Sequence, residues 1–222
     1  MVASSSACKE FIMRAFIYTG GTVYDEFVLE HPEKGDLIIS ADAGLLTARR
    51  MHWEPSVVVG DFDTLGVPKV EKGTECICLP TEKNLTDTQY AVGLALERGA
   101  KELVIVGGLE GRLDHTLSLL AILEELWERK EGRVPALITN GKNRVRFFRN
   151  SGALLPKSQY RYFSLIAADP HVKGIELDGC KYPLKRARLE RTRQWAISNE
   201  IEGNCALIEV RRGGVYVIES MD

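Results

Sequence analysis

Two aspartates that follow an apolar run are the first residues in this sequence whose spacing suggests chemistry. Residues 57–66 read VVVGDFDTLG, so Asp61 and Asp63 stand one residue apart at the end of a strand-like segment. Carboxylates this close repel each other unless a cation lies between them. Proteins hold Mg²⁺ with one or two carboxylates together with substrate phosphates and water. The pair therefore predicts a magnesium site at the end of this segment.

Other aspartates follow other strand-like segments in the same way. Asp42 follows the second segment, Asp87 follows the fourth with Thr86 as a helix N-cap, and Asp114 follows the fifth. Taken singly, an aspartate can be a turn residue or can stabilise a helix dipole. Taken together, they lie at the carboxyl ends of predicted parallel strands, the edge where open α/β sheets bind ligands. We therefore expect one acidic rim that holds a hard cation.

The same rim carries groups that suit phosphate. Glycines stand at the strand ends, including Gly44 and the pairs 20–21 and 107–108, and Arg112 supplies a fork-shaped donor. Glycine lets backbone N–H groups approach an anion, and arginine binds phosphate through two parallel hydrogen bonds. The sequence contains neither the G-x-x-x-x-G-K-[ST] nor the G-x-G-x-x-G motif. The rim is thus expected to bind phosphates without a P-loop or a dinucleotide fingerprint.

The elements that must position these residues change character along the chain. Through residues 11–143, short apolar strands alternate with amphipathic helices, which predicts an α/β domain with a parallel, doubly wound sheet. Residues 144–222 contain strands with little helix and are predicted to form a small all-β sandwich, with a hairpin at Gly213–Gly214. Residues 1–10 are small and polar and are expected to be a disordered tail.

Composition excludes several classes of protein. Among 222 residues, 29 Lys and Arg balance 31 Asp and Glu, and no apolar run reaches the ~20 residues of a membrane helix. We therefore expect no nucleic-acid partner and no membrane partner. The five cysteines are scattered, and Cys76 and Cys78 are predicted to be core thiols of a strand. This pattern favours a reducing, cytoplasmic setting.

Four rim segments form a recognisable pattern. ADAG, GDFDT, EKNLTDT and GGLEGRLDHTL, in this order and spacing, closely resemble the thiamine pyrophosphokinases, as do GCKYPL and ISN near the end of the chain. The resemblance implies transfer of a pyrophosphoryl group from Mg²⁺-bound ATP to the hydroxyl of thiamine, giving thiamine diphosphate and AMP. It also implies a homodimer in which the thiamine pocket lies between the α/β domain of one subunit and the sandwich of the other.

The resemblance assigns roles to individual residues. Asp61, Asp63 and Asp87 are assigned to metal binding and catalysis. Arg112 is assigned to catalysis as a hydrogen-bond donor to the phosphates. The nucleotide side comprises Asp42, Gly44, Thr86, Arg112, Asp114 and His115. The thiamine side comprises Ser198 and Asn199, and because thiamine is an aromatic cation, Tyr182 and Trp195 are its candidate stacking partners. His115 is favoured as a structural hydrogen-bonding residue over a base, and the proton acceptor is left open between Asp61 and Asp87.

Several positions depart from the family pattern, and two alternatives stay open. Asn84, Glu110 and Leu119 replace a common aspartate, glycine and asparagine, and Tyr182 replaces a frequent tryptophan. The basic run from Lys185 to Arg193 is expected to be a solvated strand face. The first alternative is a haloacid-dehalogenase-like phosphatase, in which Asp61 would be a nucleophile, although that motif normally follows the first strand. The second is a degraded site that only senses nucleotide or thiamine.

Overall fold

The computed structural model describes residues 12–62 and 68–222. Asp63 and the predicted tail at residues 1–10 lie outside the described residues. In the part of the chain that is described, no helix is long and apolar enough to cross a membrane.

Six parallel strands build the first half of the chain. They are β1 Arg14–Tyr18, β2 Leu37–Ala41, β3 Val57–Gly60, β4 Glu75–Cys78, β5 Glu102–Val106 and β6 Ala136–Thr139. Their order across the sheet is β4-β3-β2-β1-β5-β6, and each neighbouring pair is parallel. The chain thus moves away from β1 to one side through β2, β3 and β4, then crosses back to β5 on the other side. The carboxyl ends of β1 and β5 are the topological switch point, where such sheets bind ligands.

Helices cover both faces of this sheet, which confirms the doubly wound arrangement. They are α1 Gly44–Arg50, α2 Asp87–Glu97 and α3 Leu113–Lys130, and a single 3₁₀ turn lies at Asp25–Phe27. Alternate side chains of β1 serve opposite faces, as strand geometry requires. Ala15 and Ile17 join the core beneath α2 and α3, whereas Phe16 and Tyr18 join the core beneath α1. Both cores form because the strands are apolar on each side.

Seven antiparallel strands build the second half. They are β7 Asn143–Arg149, β8 Gly152–Pro156, β9 Tyr162–Ala167, β10 His171–Asp178, β11 Leu184–Glu190, β12 Cys205–Arg212 and β13 Gly214–Ser220. Strands β7, β13 and β9 extend the first sheet to nine strands, and β11, β10, β12 and β8 form a separate sheet. Apolar side chains of β9, β13, β10 and β12 pack between the two layers. The predicted sandwich is therefore confirmed, and one of its layers is continuous with the α/β sheet.

Two local predictions are wrong. The glycines at 213–214 do not close a hairpin, because β12 pairs with β10 and β8 whereas β13 pairs with β7 and β9. Gly213, at φ 103°, turns the chain from one layer of the sandwich to the other. Cys76 and Cys78 are exposed rather than buried, because β4 is the edge strand of its sheet.

Candidate functional site

A cleft of about 540 Å³ opens at the switch point between β1 and β5. Two glycine loops form its floor, one after each strand, and they are joined by a hydrogen bond from Gly108 N to Gly20 O of 2.9 Å. Gly107 has φ 111°, and a Cβ there would lie 2.7 Å from Thr19 O. Only glycine permits this conformation and this close approach. Because these positions are glycines, backbone atoms rather than side chains form the floor of the cleft.

Helix α2 begins at one wall of the cleft. Thr86 is its N-cap, as predicted, and forms a capping box in which Thr86 Oγ1 accepts from Gln89 N at 3.2 Å and Gln89 Oε1 accepts from Thr86 N at 2.9 Å. Asp87 is the first helical residue, and Thr88 places its hydroxyl 3.3 Å from the hydroxyl of Thr19 on the β1 side. The cap fixes the start of the helix. Asp87 is consequently held beside the glycine loops.

Lys83 lies between two of the predicted metal ligands. Its Nζ is 3.2 Å from Asp87 Oδ1 and 3.6 Å from Asp61 Oδ2. Burial opposes the charge on this lysine, but the carboxylates of Asp87 and Asp61 outweigh it and raise the pKa of Lys83 above its ordinary value. The two aspartates come from different elements, the end of β3 and the start of α2, yet their carboxylates converge on one cation.

The donor set suits Mg²⁺. Asp87 Oδ1 is buried and, within the described residues, receives no well-directed hydrogen bond; its close neighbour is the ammonium of Lys83. A buried carboxylate oxygen of this kind calls for a cation, and carboxylate oxygens are what Mg²⁺ prefers. Across residues 12–62 and 68–222, no three His, Cys, Asp or Glu side chains form a group that could hold a metal ion. The described part of the site thus offers two carboxylates, and Asp63 lies outside it.

Helix α3 begins at the opposite wall. Its N-cap residue, Arg112, makes no side-chain capping bond. The guanidinium of Arg112 instead donates two hydrogen bonds to the carboxylate of Asp114, from Nη2 to Oδ2 at 2.6 Å and from Nε to Oδ1 at 3.1 Å. This guanidinium hydrogen bond lowers the pKa of Asp114 below its ordinary value. Thr116 Oγ1 donates to Gly108 O at 2.9 Å, which ties the first turn of the helix to the glycine floor. His115 is exposed and lines the cleft.

Two further predicted residues lie at the end of β2, and only one of them lines the cleft. Asp42 does so, in a left-handed conformation with φ 50°. Gly44 does not, because it faces β1: a Cβ there would lie 2.0 Å from Tyr18 O. Its glycine is explained by the close packing of α1 on β1.

The four residues predicted for the thiamine side gather on the sandwich. Tyr182 and Trp195 are 57% and 47% exposed, and Ser198 is exposed with φ 56°. Asn199 is only 6% exposed. Its Oδ1 accepts from the backbone N of Tyr182 and of Glu200, both at 3.0 Å, and its Nδ2 donates to Tyr182 O at 2.9 Å. Asn199 therefore holds the Tyr182 loop, whereas the two aromatic rings face outward.

Within one chain the cleft and the exposed aromatic residues do not meet. Residues 194–199 run beside β9, the edge strand of the nine-stranded sheet, as the bonds Leu165 N–Ala196 O and Phe163 N–Asn199 O show. Four strand spacings separate β9 from β5, which is roughly 19 Å at about 4.8 Å per strand. No residue of 182–199 lines the cleft. The structure thus brings together the described part of the acidic rim and the nucleotide-side residues other than Gly44, but keeps the sandwich residues apart from them.

Two of the positions that depart from the family pattern, Glu110 and Leu119, have clear structural partners. Glu110 accepts a hydrogen bond of 3.1 Å from the hydroxyl of Tyr24 at the edge of the cleft. Leu119 is buried and packs over Gly108, where a Cβ would meet its Cδ1 at 2.1 Å. Sequence reasoning missed Tyr24 and Lys83. The lysine at least stands inside the quoted EKNLTDT segment, four residues before Asp87.

Comparisons with known proteins find one family along most of the chain. Residues 30–134 match the family model for the thiamin pyrophosphokinase catalytic domain, and residues 153–215 match that for the thiamin pyrophosphokinase vitamin B1 binding domain. A thiamine pyrophosphokinase of Bacillus subtilis is 25% identical over 197 residues, covering 86% of this chain and 91% of the relative. The crystal structure of a B. subtilis thiamine pyrophosphokinase superposes with a TM-score of 0.82 at 23% identity, over 94% of this chain and 99% of that one. That of a Geobacillus thermodenitrificans thiamin pyrophosphokinase gives 0.81 at 25% identity, over 95% and 98%.

Proposed function

Because this chain belongs to the thiamin pyrophosphokinase family, we propose that it transfers a pyrophosphoryl group from ATP to thiamine at the cleft between β1 and β5. The oxygen of the thiamine hydroxyl attacks the β-phosphorus of ATP, the bond from that phosphorus to the α-phosphate oxygen breaks, and AMP leaves. In phosphoryl transfer of this kind the protein contributes positioning and electrostatic stabilisation.

Asp61, Asp63 and Asp87 of the acidic rim would hold Mg²⁺, and its positive charge would offset the negative charge that develops on the phosphates in the transition state. The convergence of Asp61 and Asp87 on one ammonium and the buried Oδ1 of Asp87 support this assignment. A carboxylate that is not fully engaged by the metal accepts the hydroxyl proton, and Asp61 and Asp87 are the two candidates for this role.

The opposite wall binds the phosphates and the remainder of the nucleotide. The N-cap residue Arg112 gives no side-chain capping bond to the first backbone N–H groups of α3, and the N-terminus of a helix attracts anions. Arg112 adds a bidentate donor, and its present partner Asp114 keeps it oriented at the mouth of the cleft. Asp42, Thr86 and His115 complete the nucleotide side.

The thiamine pocket is shared between two copies of the chain. Within one chain the aromatic residues Tyr182 and Trp195 are separated from the cleft by the width of several strands, so a second copy is needed to bring them to it. Each surface carries exposed apolar side chains that a partner would cover. On the cleft side these are Leu85, Leu113 and Leu117, and on the sandwich side they are Tyr182, Trp195 and Ile197. An aromatic face there suits the cationic ring of thiamine.

The observation that carries the proposal is the convergence of Asp61 and Asp87 on one ammonium beside a cleft that Asp87 lines, within the matched catalytic domain. The test is a coupled assay for AMP with ATP, thiamine and Mg²⁺, comparing the wild type with Asp87→Asn. Loss of about 10²–10³-fold in kcat is expected when one such electrostatic group is removed. Full activity of Asp87→Asn, or AMP formed without thiamine, would contradict the assignment.

Intersubunit complementation tests the shared pocket separately. Asp87→Asn disables the cleft and Trp195→Ala disables the sandwich face, so each homodimer should be poorly active. A mixed dimer contains one pocket built from an intact cleft and an intact sandwich face. Activity should therefore return when the two variants are unfolded together and refolded as a mixture. A mixture no more active than its components, with dimers verified by light scattering, would show that each pocket lies within one chain.

The two alternative functions find no support. Asp61 follows β3, the third strand in chain order, and the catalytic-domain match runs across it. A phosphatase that uses an aspartate nucleophile would also release phosphate from monoesters without ATP. We place the reaction in the cytoplasm, because Cys76, Cys78, Cys180 and Cys205 are all free thiols.

A further inference from the structure

Lys83 has an unusual set of contacts for a loop lysine. It lies in the loop between β4 and α2, its side chain is only 17% exposed, and its Nζ contacts three oxygens. These are Asp87 Oδ1 at 3.2 Å, Asp61 Oδ2 at 3.6 Å and the backbone oxygen of Pro80 at 3.2 Å. The ammonium therefore occupies the space between the carboxylates that the proposed function gives to a metal ion.

An ammonium fills this space differently from Mg²⁺. It cancels only one of the two carboxylate charges, and its contacts exceed 3 Å. Mg²⁺ requires oxygens at about 2.0–2.1 Å in octahedral geometry. The two cations cannot occupy the space together, so Mg²⁺ must displace the ammonium. Four flexible methylenes let the displaced lysine reach a new anion nearby, and the phosphates of a bound nucleotide are the anions that the cleft admits.

We propose that Lys83 is a positioning residue that competes with Mg²⁺ for Asp61 and Asp87 and moves to a nucleotide phosphate when the metal binds. This inference rests on the proposed assignment of those aspartates as metal ligands. In the absence of metal, Lys83 keeps the two carboxylates converged. Metal alone binds weakly because it must release the ammonium into the cleft. Metal and nucleotide bind cooperatively because the nucleotide gives the ammonium a partner, and each therefore raises the affinity for the other by the same factor.

A purely structural ion pair predicts a different outcome. If Lys83 only held the loop to the two aspartates, its removal would loosen the carboxylates and weaken metal binding. Competition predicts the opposite sign, namely that removal of the ammonium strengthens the binding of metal alone. The sign of this one change therefore distinguishes the two roles.

The experiment measures Mn²⁺, as a spectroscopic stand-in for Mg²⁺, by the electron paramagnetic resonance signal of the free ion. The full-length chain is titrated with and without a non-hydrolysable ATP analogue. In Lys83→Met, the affinity for Mn²⁺ alone should rise about tenfold, within the roughly 5–150-fold range of typical coupling between sites. The enhancement of Mn²⁺ binding by the analogue should fall by the same factor. Lys83→Arg, which keeps the charge, should resemble the wild type, and so should the exposed Lys101→Met as a matched control.

Equal or weaker binding of Mn²⁺ alone to Lys83→Met, with circular dichroism unchanged, would overturn the proposal. If Lys83→Met does not fold, Lys83→Gln takes its place and carries the same expectation. Asp87→Asn separates this inference from the proposed function. Loss of Mn²⁺ binding in Asp87→Asn without a gain in Lys83→Met refutes only the competition. Wild-type Mn²⁺ binding by Asp87→Asn refutes the metal site itself.

Discussion

Replacing Asn199 by alanine distinguishes a side chain that holds a loop from one that contacts substrate. Its carboxamide makes three hydrogen bonds to the backbone, two with Tyr182 and one with Glu200, and a further contact of 3.3 Å from Nδ2 to the Sγ of Cys180. These bonds hold the exposed Tyr182 ring at the surface of the sandwich. In Asn199→Ala the backbone groups lose their partners, and the loop should become mobile.

The size of the effect follows from the number of bonds. At about 0.5–1.5 kcal/mol net for each hydrogen bond, three bonds correspond to a loss of about 2–4 kcal/mol in the free energy of unfolding. For a chain of this length, each kcal/mol lowers Tm by about 2–4 °C, so a drop of roughly 5–15 °C is expected. Asn199→Asp keeps both accepted bonds but cannot donate to Tyr182 O, so its Tm should fall between those of the wild type and Asn199→Ala.

The assay pairs urea unfolding with steady-state kinetics at varied thiamine. Asn199→Ala should lose stability and also raise KM for thiamine, because Tyr182 is no longer held in place. Ser198→Ala is the matched control for the unfolding measurement alone. In the described part of the chain the hydroxyl of Ser198 makes no hydrogen bond, so the free energy of unfolding should change by less than about 0.5 kcal/mol. A raised KM in Asn199→Ala without any loss of stability would refute the reasoning and make Asn199 a direct contact of the substrate.

Three further predictions concern packing, ionisation and phosphate binding. Gly44→Ala should destabilise the fold by about 3 kcal/mol, because the new Cβ would lie 2.0 Å from Tyr18 O. Gly93→Ala, in α2, should stabilise the fold by about 0.5–1 kcal/mol, because a Cβ at that position meets no atom within 4 Å. Urea unfolding measures both changes. Burial raises the pKa values of Tyr18 and Tyr216 in the folded chain, so their contribution to stability is full below the unfolded pKa of about 10 and is lost as pH rises above it. An absorbance titration at 295 nm should show them ionising only as the fold is lost, and ordinary titration of every tyrosine in a folded chain would contradict this. Arg112→Lys keeps the charge but not the planar fork, so kcat/KM for ATP should fall about 10–100-fold in the AMP assay, and an unchanged value would remove Arg112 from the phosphate site.

The rim was predictable because it depends on a local pattern. Apolar strands that alternate with helices produce a parallel sheet, and a parallel sheet places all its carboxyl ends on one edge. The positions of Asp42, Asp87 and Asp114 around one cleft follow from that rule, whereas the N-cap at Thr86 follows from the local sequence. The three aspartates needed no knowledge of long-range contacts, only the order of elements along the chain.

The remaining features depend on contacts between distant parts of the chain. Lys83 meets Asp61 only when the loop after β4 folds back over the end of β3. The carboxamide of Asn199 is engaged because residues 180–182 pass beside it, a relation that motif spacing does not reveal. Cys76 and Cys78 alternate like core residues, but β4 is an edge strand and leaves them exposed. The strands on either side of Gly213 pair with distant strands rather than with each other, so the local glycine signal predicts a hairpin that this sandwich does not contain.

The place of β13 in the nine-stranded sheet has a consequence for how the chain folds during its synthesis. It is the last strand in chain order, yet it lies between β7 and β9 and bonds to both. Strand β9 can therefore join that sheet only after residues 214–220 have been made. At about 5–20 residues per second, synthesis from the end of β9 at Ala167 to the end of β13 at Ser220 takes roughly 3–11 s. Until then β9 lacks the neighbouring strand that joins it to the sheet, so its apolar face and its backbone edge stay exposed. A nascent chain in this interval should therefore depend on chaperones to avoid aggregation.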